Sequence, residues 1–312
     1  MEKLLHVSPS PHIRTSLTTK KIMWDVIIAL LPATLFGIYV FKMEAVITIA
    51  LSILACVLSE YVFEKLMKLP VTISDGSAII TGLLLALNLP SSVPFYIPLI
   101  GGIFAIVVVK MVYGGLGQNI MNPALAARCF LLIAFSARMT NYTLDGVTTA
   151  TPLALIKAGS EVNLLDMFIG NIGGCIGETS VIAILIGGLY LIIKKVISIR
   201  IPLVILVSFS IVYLCFSDHQ FNLYYLALQL CGGGLMLGAF FMATDYVTSP
   251  ITYKGQVIYA IIIGVLIAIF RIFSSTSEGV SFAIIFTNLL VPLIEYYTLP
   301  KAFGKEGEHN EK

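Results

Sequence analysis

Ten apolar stretches divide this chain, and polar loops too short to fold alone join most of them. The stretches cover residues 22–41, 44–63, 76–89, 95–113, 122–138, 178–194, 201–216, 222–243, 256–273 and 279–297. A helix rises about 1.5 Å per residue, so a hydrocarbon core of about 30 Å takes about 20 residues to cross. Most stretches approach that length. With 58% hydrophobic and only 12% charged residues, the chain has about half the charge of a soluble domain. The expected fold class is an all-α polytopic membrane protein of about ten transmembrane segments. A net charge of +2 gives no reason to expect a nucleic-acid partner. The first 20 residues contain no apolar run or cleavage signal, so no signal peptide is expected.

The third stretch is too short to cross, and Asp75-Gly76 and Asn88-Leu89-Pro90 bracket it, which predicts a half-helix. Lys and Arg positions set the orientation. Lys3, Arg14, Lys20 and Lys21 place the N-terminal arm in the cytoplasm. With ten crossings, Lys65, Lys68, Lys110, Lys194, Lys195, Arg200 and Lys254 fall on that same side, as does the tail with Lys301 and Lys305. The outside loops are poor in basic residues, apart from Arg138 and Arg271 at helix ends. The long polar segment 139–177 is then extracytoplasmic, and a loop of that length usually has a task.

Shifting the sequence by 156 residues lays the first five stretches on the last five. Gly82 meets Gly238, and Asn88 meets Thr244 near the point where each third stretch is expected to break. Five is odd, so the two halves have opposite topology. Inverted repeats with broken third helices place a site between the breaks. The organisation expected is an arm over 1–21, a first five-helix repeat over 22–138, an extracytoplasmic loop over 139–177, a second repeat over 178–298 and a cytoplasmic tail over 299–312.

Four motifs, GGLGQNIMNPALAAR at 114–128, SDGSAIITGLLLALNLP at 74–90, GAFFMATDYVTSP at 238–250 and DGVTTATPLA at 145–154, resemble the RnfD/NqrB family of respiratory membrane subunits. The resemblance covers essentially the whole chain, and its length fits the RnfD side of the family. Two residues depart from the family pattern, Tyr246 after the Thr-Asp pair and Thr149 inside the last motif. The resemblance implies that Thr151 carries FMN through a phosphoester, that Asp145 belongs to the attachment motif, and that a separate flavin transferase installs the group from FAD outside the cytoplasm. It also implies a non-covalent riboflavin near Asn119 and Asn122. From the residues alone, Thr151 before Pro152 is equally a good N-cap for a helix over 152–158, and Asn122 before Pro123 is another.

Intramembrane carboxylates are functional candidates. Asp25, Glu44, Glu60, Glu178 and Glu295 lie near segment ends, where water and structural roles are expected. Asp245, at a helix break beside Thr244 and Thr248, and Asp75, in the matching motif, are candidates for an ion path or for helix caps. Trp24, Tyr224, Tyr225, Tyr296 and Tyr297 suit interfacial anchors. The histidines show no ligand spacing and the cysteines form no CxxC pair, so no metal or iron–sulfur site is expected from this chain alone. The function implied is a membrane subunit of an Rnf-type ion-translocating ferredoxin:NAD oxidoreductase in the bacterial cytoplasmic membrane. There it would carry electrons beside partner subunits that oxidise ferredoxin and reduce NAD, coupled to Na+ or H+ transport. The competing class is a solute channel or transporter with the same inverted repeat and no flavin.

Overall fold

The first helix organises the rest. The computed structural model describes residues 18–300 except 145–146, 161, 171, 218–220 and 275–278, so Asp145, most of the N-terminal arm and most of the tail lie outside the described residues. Helix α1 (Thr19–Leu66) has 48 residues, about 70 Å if straight, more than twice a bilayer core. At Lys42 the backbone takes φ 53° and ψ −130°, and the chain folds back. The return is fixed at the far ends. A Cβ on Gly76 would meet Met23, Trp24 and Ile27, while Thr72, just before it, donates to Glu64. The stretches expected at 22–41 and 44–63 are therefore two arms of one hairpin. Its first turn is capped by Thr18, whose hydroxyl accepts from Lys21 N at 3.3 Å, so the helix starts before residue 22.

Helix α2 (Ser77–Leu87) has 11 residues and reaches about half-way through a bilayer core. Gly76, at φ 85°, turns the chain into it. Gly82 lets α2 rest on α1, because a Cβ there would lie 2.7 Å from Ile53 Cα. After the break at Asn88, α3 (Tyr96–Ile103) runs on through wider, π-type turns over Phe104–Met111. Helices α4 (Pro123–Ala134) and α5 (Ser136–Met139) complete the first half.

The polar segment contains a departure from all-α expectation. Strands β1 (Tyr142–Leu144) and β2 (Val147–Thr149) pair antiparallel, with Tyr142 opposite Thr149. Helices α6 (Pro152–Lys157) and α7 (Leu164–Ile169) follow. Leu153, Ile156, Met167, Ile172 and Leu228 form a small core under them, separate from the main one.

The second half comprises α8 (Val181–Ile193), α9 (Arg200–Phe216), α10 (Leu223–Cys231), α11 (Leu235–Leu237) with π-type turns over Gly238–Met242, α12 (Tyr253–Phe273) and α13 (Val280–Thr298). The run from α10 through the π-type turns bends by 65°. The helix ends at Met242, close to Thr244 as expected, but the sharp break lies earlier, at Gly232–Gly234. Hydropathy does not mark that break because no charge interrupts it; Gly233 and Gly234 supply the positive φ, 63° and 66°.

Helices α1, α12 and α13 are each long and apolar enough to cross a membrane, and the bent α10–α11 run is a fourth candidate. Tyr39, Leu35, Ile133 and Ile193 are exposed around the bundle while Leu30, Leu85, Ile97 and Phe209 fill its interior. Apolar residues thus face both inward and outward, as a lipid-embedded helical protein requires.

Candidate functional site

The residues singled out in the sequence gather at two ends of the bundle. At one end a cleft opens between the two half-helix motifs, with about 800 Å³ of unfilled space including its mouth. Asn119, Asn122, Ser77 and Lys110 line it from the first half, and Phe241, Thr244 and Asp245 from the second. Each position has a local cause. Pro123 starts α4, and Asn122 caps it, accepting from Ala124 N at 3.1 Å and Leu125 N at 3.4 Å. The Asn122 amide also donates to Met242 O at 3.4 Å, which ties α4 to the end of the second half-helix. Asn119 donates to Met121 O at 3.1 Å. Leu191, Val196, Ile197 and Phe241 supply apolar walls.

The two candidate aspartates cap turns at this end. Asp75 Oδ1 accepts from Ser77 N at 2.8 Å and from Ser77 Oγ at 2.7 Å. Asp245 accepts from Val247 N at 3.4 Å and Thr248 Oγ1 at 3.1 Å. Burial pushes the Asp245 carboxyl above its ordinary range, and those two hydrogen bonds pull it back. Asp245 lines the cleft itself, whereas Asp75 stands behind it through Ser77.

Two carboxylates expected near water are instead buried. Glu60 is 1% exposed and Glu178 6%. Lys110 Nζ lies 2.8 and 3.0 Å from the Glu60 oxygens and 2.7 Å from Ser77 Oγ, so all three of its donors are engaged. Arg128, in the middle of α4, donates to Asn88 Oδ1 at 2.7 Å and to Glu178 Oε1 at 3.5 Å. Arg271, 3% exposed, donates to the carbonyls of Gln229, Gly232 and Gly233. Sequence reasoning did not single out Lys110, Arg128 or Arg271 as interior partners. The available signal was a full charge inside an apolar run, which membrane energetics allows only with a partner.

At the other end Thr151 stands beside a smaller hollow of about 300 Å³, lined also by Pro152, Gly173, Gly174, Glu178 and Gly233. Thr151 Oγ1 accepts from Ala154 N at 3.3 Å, so the residue is the N-cap of α6, with Pro152 at its first position. The side chain remains partly exposed. On the same helix Lys157 donates to Ser274 O at 2.7 Å, and burial together with the Arg271 charge lowers its pKa. The two ends are connected in the interior. Glu178 borders the Thr151 hollow and pairs with Arg128, Arg128 holds Asn88, and Asn88 Nδ2 lies 3.7 Å from Met242 Sδ, whose backbone carbonyl receives Asn122.

The fit of flavin-type groups can be judged from these donor sets. The cleft combines apolar walls with amide and hydroxyl groups, a mixture that suits a planar ring with a polar pyrimidine edge. Thr151, partly exposed, lines its hollow, which suits an ester acceptor.

A helical bundle that buries ion pairs and polar clefts inside an apolar exterior defines a multi-pass membrane protein with intramembrane polar sites. The chain matches the NQR2, RnfD, RnfE family over residues 6–304 and belongs to that family. It is 48% identical over 309 residues to the D subunit of the Na(+)-translocating ferredoxin:NAD(+) oxidoreductase complex of Acetobacterium woodii, covering 96% of this chain and 95% of that one. It is 40% identical over 328 residues to the D subunit of the proton-translocating ferredoxin:NAD(+) oxidoreductase complex of Clostridium ljungdahlii, covering 97% of each. A third relative, the D subunit of the ion-translocating oxidoreductase complex of Actinobacillus succinogenes, is 35% identical over 350 residues, covering 96% of this chain and 98% of that one.

Proposed function

We propose that this chain is the membrane-embedded, electron-carrying subunit of an ion-translocating ferredoxin:NAD oxidoreductase complex, with FMN esterified to Thr151 and riboflavin held in the cleft at Asn119 and Asn122. The observation that carries this reading is the placement of Thr151 and the cleft at opposite ends of one bundle, linked by Glu178, Arg128 and Asn88. The near full-length similarity to D subunits of such complexes supports the complex and its partner subunits. Flavins supply one-electron transfer when bound.

The chain's own residues have defined tasks. In maturation by a flavin transferase, the Thr151 oxygen attacks the FMN phosphorus of FAD. The new O–P bond replaces the pyrophosphate bond, AMP leaves, and the hydroxyl proton is released. Pro152 fixes the backbone after the acceptor, and Asp145 serves as the recognition residue of the motif. In the cleft, Asn119 and Asn122 would hold the riboflavin by hydrogen bonds, while Phe241 and Leu191 would exclude water. Asp75 and Asp245, at the open ends of the two half-helices, border the ion path. The topology proposed is ten crossings in two inverted five-helix repeats, with both termini in the cytoplasm and Thr151 outside, in a bacterial cytoplasmic membrane. The folding-back of α1 at Lys42 supports it, because it turns one long helix into two crossings.

The test is a denaturing gel viewed under ultraviolet light, with wild type beside Thr151→Val, both from cells with an active flavin transferase. A fluorescent wild-type band that is absent in the variant is expected. A dark wild-type band overturns the flavin assignment and favours a transporter without redox function.

A further inference from the structure

The turn between α8 and α9 has two sides, and only one of them has a task so far. Val196 and Ile197 line the cleft, whereas Lys195, Ile199 and Arg200 are exposed. The turn is held from two directions. Tyr246, the residue that departs from the family pattern, donates its hydroxyl to Val196 O. Ser198 Oγ donates to Gln256 Oε1 on α12 at 3.5 Å. One turn earlier on α12, the Tyr253 ring carries the Arg200 guanidinium, 4.0 Å from its centroid. A ring attracts the guanidinium charge but leaves its N–H fork available to an oxyanion. The start of α12 and the α8–α9 turn thus form one fixed seam at the cleft end of the bundle.

The seam carries positive charge without a counter-charge. Among the described residues no carboxylate lies within ion-pair distance of Lys195, Arg200 or Lys254, all three exposed. Glu295, from α13, turns its Oε1 to Ile251 N at 3.0 Å. Lys194 turns back along α8 to lie 5.7 Å from the Tyr190 ring centroid. Below the cations runs an apolar stripe. Ile199, Leu203, Val207 and Ile211 are exposed at a spacing of four, so they share one face of α9. They span about 18 Å along its axis, slightly more than half of a bilayer core. The preference of basic residues for one side of a membrane explains the sign of this patch. It does not explain an arginine fixed on an aromatic ring, with no acid to meet it, at the head of an apolar stripe.

We infer that this seam holds the headgroup of an anionic phospholipid. Arg200 donates its N–H fork to the phosphate oxygens. Lys195 and Lys254 add the charge that selects a net-negative headgroup over a zwitterionic one, which brings its own cation. An acyl chain lies along the Ile199–Ile211 stripe, and this stripe favours a lipid over an acidic protein surface, which would meet the cations alone. The lipid steadies, from outside, the same turn that walls the cleft.

The experiment follows thermal unfolding of the purified full-length chain in detergent. Dioleoylphosphatidylglycerol, dioleoylphosphatidylcholine or inorganic phosphate is titrated in at fixed ionic strength. A ligand that binds only the folded state raises Tm with its concentration, so half-saturating concentrations can be compared. Each cation near an anionic lipid is worth about fivefold in affinity. For wild type, phosphatidylglycerol is expected to half-saturate at a concentration roughly tenfold or more below phosphatidylcholine, and phosphate to have no effect. Lys195→Gln/Arg200→Gln/Lys254→Gln should abolish that preference. Arg200→Lys keeps the charge but not the fork, and should weaken the preference several-fold. Lys65→Gln/Lys68→Gln removes two cations from the same proposed face and should leave the preference intact. A triple variant that keeps the preference overturns the site. So does a Lys65/Lys68 pair that loses as much, because net surface charge would then be enough. A Tm rise with phosphate equal to that with phosphatidylglycerol overturns the lipid in favour of a free anion. Arg200→Lys remains informative if the triple variant folds poorly, since an unaltered preference there overturns the role of Arg200.

Discussion

Each half of the bundle interrupts a helix in the interior, but the two interruptions are satisfied by different means. After α2 the break is closed largely by the chain itself. Asn88 Nδ2 returns to Leu84 O at 2.7 Å, and Ile176 N reaches Leu89 O at 3.0 Å, as Pro90 and Cys175 form a bridge. Arg128 then reads the free Asn88 oxygen and is balanced by the Glu178 carboxylate. At Gly232–Gly234 no comparable strand approaches among the described residues, and one guanidinium gathers the open carbonyls of Gln229, Gly232 and Gly233. Among the described residues no carboxylate lies within ion-pair distance of Arg271, so the carbonyl dipoles at the end of α10 and the more distant Glu178 charge together offset it. A broken helix in lipid must replace its lost hydrogen bonds. A backbone bridge does so with main-chain groups of a segment distant in sequence, whereas a single arginine makes several acceptors depend on one side chain.

That difference ranks the variants. Arg271→Leu should have the largest effect, because it takes the arginine donor from three carbonyls, two buried and one partly buried, each worth about 1–3 kcal/mol. The expected outcome in a thermal melt in detergent is loss of most folded protein. A melt like that of wild type would mean that water reaches the second break and that the contrast does not hold. Arg128→Met comes next. It leaves Glu178 buried and unpaired, at a cost of about 3–5 kcal/mol. Because that cost is the isolated charge, Arg128→Met combined with Glu178→Gln should recover most of it. A double variant no more stable than Arg128→Met alone would show that Arg128 acts through Asn88 instead. Asn88→Ala, which removes the self-bond and one arginine acceptor, should cost about 1–2 kcal/mol, measured in the same melts.

Much of this arrangement was legible in the residues, and the limits have physical reasons. The half-length of α2 followed from Asp75-Gly76 and Asn88-Leu89-Pro90, because a left-handed glycine and a proline cannot continue a helix. The N-caps at Asn122 and Thr151 followed from their prolines. The break at Gly232–Gly234 was hidden inside an apolar run, where hydropathy is blind to backbone angles. The arginines were harder to read. Arg128 and Arg271 are not related by the 156-residue shift, so the repeat that relates Gly82 to Gly238 offers no clue to the partners of the breaks. Pairing across 40 or more residues, as between Arg128 and Glu178, is a property of the packed bundle. The same holds for the burial of Glu60, which its place near the end of a stretch argued against.

The contrast extends to the carboxylates at the open ends of the half-helices, where the smallest effects are expected. Asp75 accepts two close bonds from Ser77 at the start of α2, so Asp75→Ala should cost about 1 kcal/mol, as for other caps. Asp245 accepts longer bonds while it lines the cleft, and burial raises its pKa from an ordinary 3.8. For an acid whose folded pKa is raised, the folded state favours the protonated form. Its contribution is therefore fully present below 3.8 and is lost as pH rises through the raised value. Asp245→Asn should remove that loss and flatten the slope of Tm against pH above 3.8, with little change below it. A slope unchanged in Asp245→Asn would mean that water entering the cleft solvates the carboxylate. The two aspartates would then be equivalent turn caps, and the cleft would be wetter than its apolar walls imply.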